Sequence, residues 1–217
     1  MRFPIAVVVL LAAMSAISPA AAAGLSGMGA AIFGNSAFQF RKANLETVPV
    51  EVIKVGSVKL VLQRTRLVDL QKVFGGTVQH QGEGAGRADW LCYTTDGSNG
   101  PAANAWFISN ALGGHEFVMM VAAELANPKK PSPDCEPAPA KFSLPDFSIP
   151  SLGAGVAELK ARFGSAPASR GAIAYRADEP GTDALGTALN VQYIGYKISK
   201  NQVAGIGIGE TSAQMPQ

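Results

Sequence analysis

The chain has 217 residues, 47% of them apolar and 16% charged, with a formal net charge of +2. That balance excludes a disordered polyelectrolyte and argues for a folded core. No basic run exceeds Lys129-Lys130, so the chain lacks the counterion-release drive of a nucleic-acid binder, and no such partner is expected.

The first element reads "MRFPIAVVVLLAAMSAISPAAAAGL". Arg2 precedes an apolar run from Ile5 to Ile17, Pro19 breaks it, and small residues follow. This is the layout of a secretory signal peptide over residues 1–23, cleaved near Ala23. The run is shorter than the roughly 20 residues that span a bilayer, so no membrane span is expected after cleavage. Periplasm or outside medium is the expected location. About 190 residues then remain, enough for one large domain or two small ones.

A first α+β unit is predicted over residues 24–126. It opens with an extra strand pair, "VPVEVIKV" and "VKLVLQ", split by Gly56-Ser57. Leu67, Leu70 and Phe74 then fall at i, i+3 and i+7, the apolar stripe of a short helix. Gly75 ends it, since glycine accepts the left-handed backbone of a helix C-cap. Strands follow at "RADWLCYTT", "NAWFIS" and "FVMMVAAEL", with Gly113-Gly114 as the hairpin turn before the last.

Between Pro128 and Pro150 lie seven of the chain's fourteen prolines. Proline fixes φ and removes a backbone donor, so residues 127–148 read as a semi-extended linker. The chain's two cysteines are Cys92, in a predicted strand, and Cys135, in this linker. An even count in an exported chain suggests a disulfide. It would pin the linker to the first unit and contribute about 4 kcal/mol in the chain-entropy model.

The second unit spans residues 149–213. Val156, Leu159 and Phe163 repeat the helix stripe, and Phe163-Gly164 repeats Phe74-Gly75. Asp69 and Glu158 take matching solvated positions. Strands follow at "AIAYRA", "LNVQYIGYKI" and "QVAGIGIGE", with Lys200-Asn201 as a turn. Residues 112–124 align with 198–210, which matches Glu124 to Glu210. The fold class is α+β: two tandem repeats, each a short amphipathic helix followed by an antiparallel sheet of three to four strands. One such unit buries little surface, and duplication enlarges the core.

A secreted chain with two α-then-β units resembles the beta-lactamase inhibitory protein fold. Its helix ending in "FG" is also similar to the small outer-membrane assembly lipoproteins, which carry one such unit. The resemblance implies a protein that binds other proteins and is not an enzyme. It implies a concave sheet face studded with aromatics. The partner-binding candidates are Trp90, Tyr93, Trp106, Phe107, Tyr175, Tyr193 and Tyr196. Trp106 and Phe107 fall on opposite faces of their strand, as do Tyr193 and Tyr196, and aromatics bury large area at low entropy cost.

Other chemistry finds little footing. His80 and His115 lack zinc-site spacing, and His115 beside Glu116 reads as an exposed turn residue. "GEGAGR" runs into a strand, and "GIGIGE" reads as a close-packed strand, so neither is a dinucleotide loop. No GxSxG or SxxK pattern occurs. No catalytic, cofactor or metal residue is assigned, and no cofactor is expected. The expected function is an exported, non-enzymatic protein-binding protein, inhibitor-like or a cell-envelope accessory, using its sheet surface. The alternative is an envelope hydrolase with a scattered carboxylate pair.

Overall fold

A computed structural model describes residues 24–34, 42–98, 100–111, 114–169, 171–183 and 186–214. The signal-peptide reading of residues 1–23 and Gly113 of the expected turn lie outside them. Among the described residues the chain is mixed α+β, mostly sheet with three α-helices. None of these helices is long and apolar enough to cross a membrane.

The elements run α1 (Gly27–Phe33), β1 (Lys42–Leu45), β2 (Ile53–Val55), β3 (Val58–Leu60), α2 (Leu67–Phe74), β4 (Gln79–Gln81), β5 (Ala88–Thr94), β6 (Ala103–Asn110) and β7 (Met120–Leu125). Then come β8 (Glu136–Pro137), α3 (Val156–Phe163), β9 (Ala168–Ser169), β10 (Ala172–Asp183), β11 (Gly186–Ser199) and β12 (Gln202–Gln214). The order helix, glycine, short strand, three longer strands occurs from α2 to β7 and again from α3 to β12.

The strands that follow α2 and those that follow α3 do not form two separate sheets. They join in one, in the order β1-β10-β11-β12-β7-β6-β5-β4, with β8 on β5 and β9 on β10. The seam is β7 against β12, antiparallel from Met120↔Gly209 to Glu124↔Gly205. Nor is the sheet wholly antiparallel, since β1 runs parallel to β10 and β8 parallel to β5. Of the expected N-terminal strands, β2 and β3 form a separate hairpin turned at Gly56, whose φ is 56°.

Alternation along the strands gives the sheet two packed faces. On one face α2 buries Leu67, Leu70 and Phe74. They join a core with Leu91, Phe107, Val121, Ile194, Ile206 and Ile208. The helix α3 shares this core but buries only Leu159 fully. Both helices end at glycines that side chains would not tolerate: φ is 77° at Gly75 and 78° at Gly164. The β11–β12 turn holds Lys200 and Asn201 at φ 51° and 61°, the paired positive values of a type I′ turn.

The opposite face carries α1, which the sequence reading did not anticipate. Met28, Gly29 and Ile32 are buried there, in a cluster with Trp90, Cys92, Trp106, Ile108, Met120 and Ala122. The "GIGIG" run explains the fit. Ile206 and Ile208 point to the α2 face, and Gly207 lets α1 approach so closely that a Cβ would sit 2.8 Å from Ile32 Cδ1. Covered on both sides, β6 is buried at all eight positions.

The alignment of residues 112–124 with 198–210 needs correction. It matches Val121 to Gly207, yet Val121 pairs with Ile208 and Gly207 with Ala122, so the matched residues face opposite ways. A one-residue slip flips every side chain of a strand. Glu124 and Glu210 are therefore not equivalent. Glu124 faces α1 and accepts the Met28 N–H at 2.7 Å, while Glu210 accepts from Gln63 and Gln192 on the other face.

Candidate interaction surface

The strands place six of the seven candidate aromatics inside the chain. Trp90 and Trp106 lie under α1. Tyr93, Phe107, Tyr175 and Tyr196 point into the α2 face. Three of these tyrosines fasten the sheet to the elements above it. Tyr93 donates its hydroxyl to Gly75 O at 2.7 Å and Tyr175 to Gly164 O at 3.4 Å, each reaching the glycine that ends its helix. Tyr196 donates to Pro150 O at 3.0 Å. Burial, with Glu136 adding a smaller effect, pushes the Tyr93 hydroxyl up to about 12. Burial raises Tyr175 and Tyr196 as well.

Tyr193 is the exception, with its ring half-buried on the α1 side of β11. Register puts Arg176 of β10 directly beside it. The guanidinium lies 5.6 Å from the ring centroid, and its Nε donates to Asp178 Oδ1 at 2.5 Å. A cation over a tyrosine face, held there by a carboxylate, is a preorganised contact group. Lys197, further along β11 on the same face, is exposed and pairs with Glu124. Next to it a groove of about 430 Å³ runs between the start of α1 and residues 130–133, bordered by Asn104, Leu125, Lys130 and Lys197.

Cys92 and Cys135 are joined in a disulfide, as expected from their count. Together with Asp134 they form the one Cys/His/acid group among the described residues tight enough for a metal, but the bridge consumes both thiols. Asp134 is fully buried. It accepts the N–H and hydroxyl of Ser26 and the Trp106 indole at 3.0 Å. A second buried carboxylate among the described residues, Asp89, is forked by Arg87 and has His115 Nδ1 at 3.5 Å. His115 is exposed and Glu116 pairs with Arg66, so the adjacent pair forms no dyad.

Sequence reasoning passed over Asp134, Ser26 and the Arg176–Asp178 pair. Asp134 stands in "SPDCEP", where no local pattern sets it apart from an ordinary exposed loop acid. The alternating glycines of β12 were the one signal that a further element packs on that face.

No known protein family, curated protein or solved structure matches the chain.

Proposed function

We propose that this is an exported, non-enzymatic protein-binding protein, inhibitor-like or a cell-envelope accessory, that binds through its sheet surface. The Cys92–Cys135 disulfide is consistent with an oxidising, extracytoplasmic compartment, periplasm or outside medium. The chain is read as two tandem α-then-β units joined at the β7–β12 seam. The recurring element order and the matched tyrosine-to-glycine hydrogen bonds at both helix ends support that reading.

The observation that carries the function is the Arg176–Tyr193–Asp178 group on the open part of the α1 face. It offers an aromatic, a cation and an anion on rigid strands, where a partner's side chains can reach them. Tyrosine and arginine are the residues that dominate protein interfaces.

The test is affinity capture from cell envelope and culture medium with the chain from Gly24 onward, disulfide intact. A single saturable partner is expected, with Tyr193→Ala and Arg176→Ala each weakening it by about tenfold or more. Lys160→Ala, on the exposed side of α3, serves as the control. Finding no saturable partner, or equal binding by all three variants, refutes the proposal.

A further inference from the structure

The face under α1 is closed by an element with little stability of its own. Helices under roughly 12–15 residues are marginal in water, and α1 has seven. Its hold comes from the rest of the chain. Met28 and Ile32 enter the slot above the β12 glycines, and Leu25 joins the same buried cluster. The Leu25 N–H donates to Gln81 Oε1 at 2.8 Å, and the Met28 N–H to Glu124. Ser26, at the start of the helix, is gripped by Asp134. The residue after Asp134 is Cys135, bonded to Cys92 of β5. The bridge therefore holds the carboxylate that holds the helix.

A second observation lies in the same cluster. The Trp90 indole N–H is buried and, among the described residues, has no acceptor. An orphaned buried donor has lost its water without gaining a partner, which destabilises the closed arrangement. A carbonyl brought in by a different occupant would satisfy it.

We propose that the Trp90–Trp106 face is a conditional binding surface for a short apolar peptide segment. In this proposal α1 is the resident occupant and the Cys92–Cys135 bridge is the latch. The surface adjoins the Arg176–Tyr193 group, since Tyr193 packs against the edge of the same cluster, but it takes a different occupant. A dithiol reductant opens the latch. It gives two electrons to the bridge, the S–S bond breaks, each sulfur takes a proton, and the dithiol closes to its own disulfide. The β8 pairing to β5 remains, so the chain loosens at Asp134 rather than detaching. The segment that fits has glycine or alanine where its backbone meets the sheet and methionine or isoleucine where it fills the slot, as α1 itself does.

Hydrogen exchange on the oxidised and reduced chain tests the latch. The amides of Met28, Ala30 and Gly34 should exchange about tenfold faster or more after reduction, with β10–β12 unchanged. Because Cys92→Ser with Cys135→Ser can fail to fold, Asp134→Asn provides a second route. It keeps the bridge and should release the same three amides. A labelled peptide of residues 25–33 should then bind the reduced chain and not the oxidised one. Unchanged α1 amides, or amides that rise only together with β10–β12, overturn the latch. A peptide that fails to bind a chain whose α1 is released overturns the surface.

Discussion

Gly207→Ala tests most directly whether α1 sits on the glycine face of β12. The added Cβ would lie 2.8 Å from Ile32 Cδ1, 3.2 Å from Met28 Cε and 3.3 Å from Ile32 Cβ. The two methyl ends can rotate away, but Ile32 Cβ moves only with the helix backbone. Overpacking of this kind costs about 1–3 kcal/mol. Alanine in place of a strand glycine returns about 0.5–1 kcal/mol through the unfolded chain. The difference is a net loss of up to about 2.5 kcal/mol, centred near about 1 kcal/mol. Gly205→Ala meets Lys197 Cβ at 3.3 Å but no atom of α1 nearer than Met28 Sδ at 3.5 Å, so it should cost less than Gly207→Ala. Urea denaturation at equilibrium measures both. The cycle with Ile32→Gly isolates the contact, since it removes Cβ as well as Cδ1, and the Gly207→Ala cost should then fall below about 0.5 kcal/mol. A neutral Gly207→Ala, or one that costs the same in both backgrounds, would mean that α1 is not packed there and would remove the basis of the latch.

Gly164→Ala isolates backbone conformation, because no atom lies within 4 Å of the new Cβ while φ is 78°. It should cost about 1–3 kcal/mol by urea denaturation. Tyr93→Phe removes the hydroxyl bond to Gly75 and should cost about 0.5–1.5 kcal/mol. The folded-state value of Tyr93 is raised from 10.0 to about 12. Its contribution is therefore complete below pH 10 and is lost as pH rises toward 12, with Tyr175 and Tyr196 acting in the same direction. Unfolding midpoints measured from pH 9 to 12 should fall, and fall less steeply in Tyr93→Phe. Asn201→Gly, at the second positive-φ position of the β11–β12 turn, should raise stability by a few tenths of a kcal/mol or more, read as a shift in midpoint.

Local rules carried the sequence reading a long way. The stripes of α2 and α3, their terminal glycines and the Lys200-Asn201 turn depend on nearest neighbours along the chain, and periodicity reports those directly. The joining of the strands into one sheet does not. It rests on β7 meeting β12 across more than eighty residues of chain, and no local spacing encodes that partner. The helix α1 was hidden for a related reason. "GMGAAIF" has weak helical preference, and its conformation comes from contacts with Trp106, Ile108 and the β12 glycines. Missing α1 in turn misplaced Trp90 and Trp106, which an uncovered sheet would have presented to solvent.

The aromatics carry a lesson about sheets covered on both sides. Alternation says which strand residues share a face, but not which face meets water. Here the first half of the sheet has no free face near β6, since α2 lies on one side and α1 on the other. The second half is covered less evenly. Arg176 and Tyr193 are half-buried, and Lys197 and Asp178 are exposed. On the proposed reading, a partner that binds the sheet of the closed protein uses β10 and β11. A partner that needs Trp90 or Trp106 must first displace α1. The two modes separate in one experiment. Arg176→Ala should weaken the first and spare the second, whereas keeping the disulfide oxidised should block the second and leave the first intact.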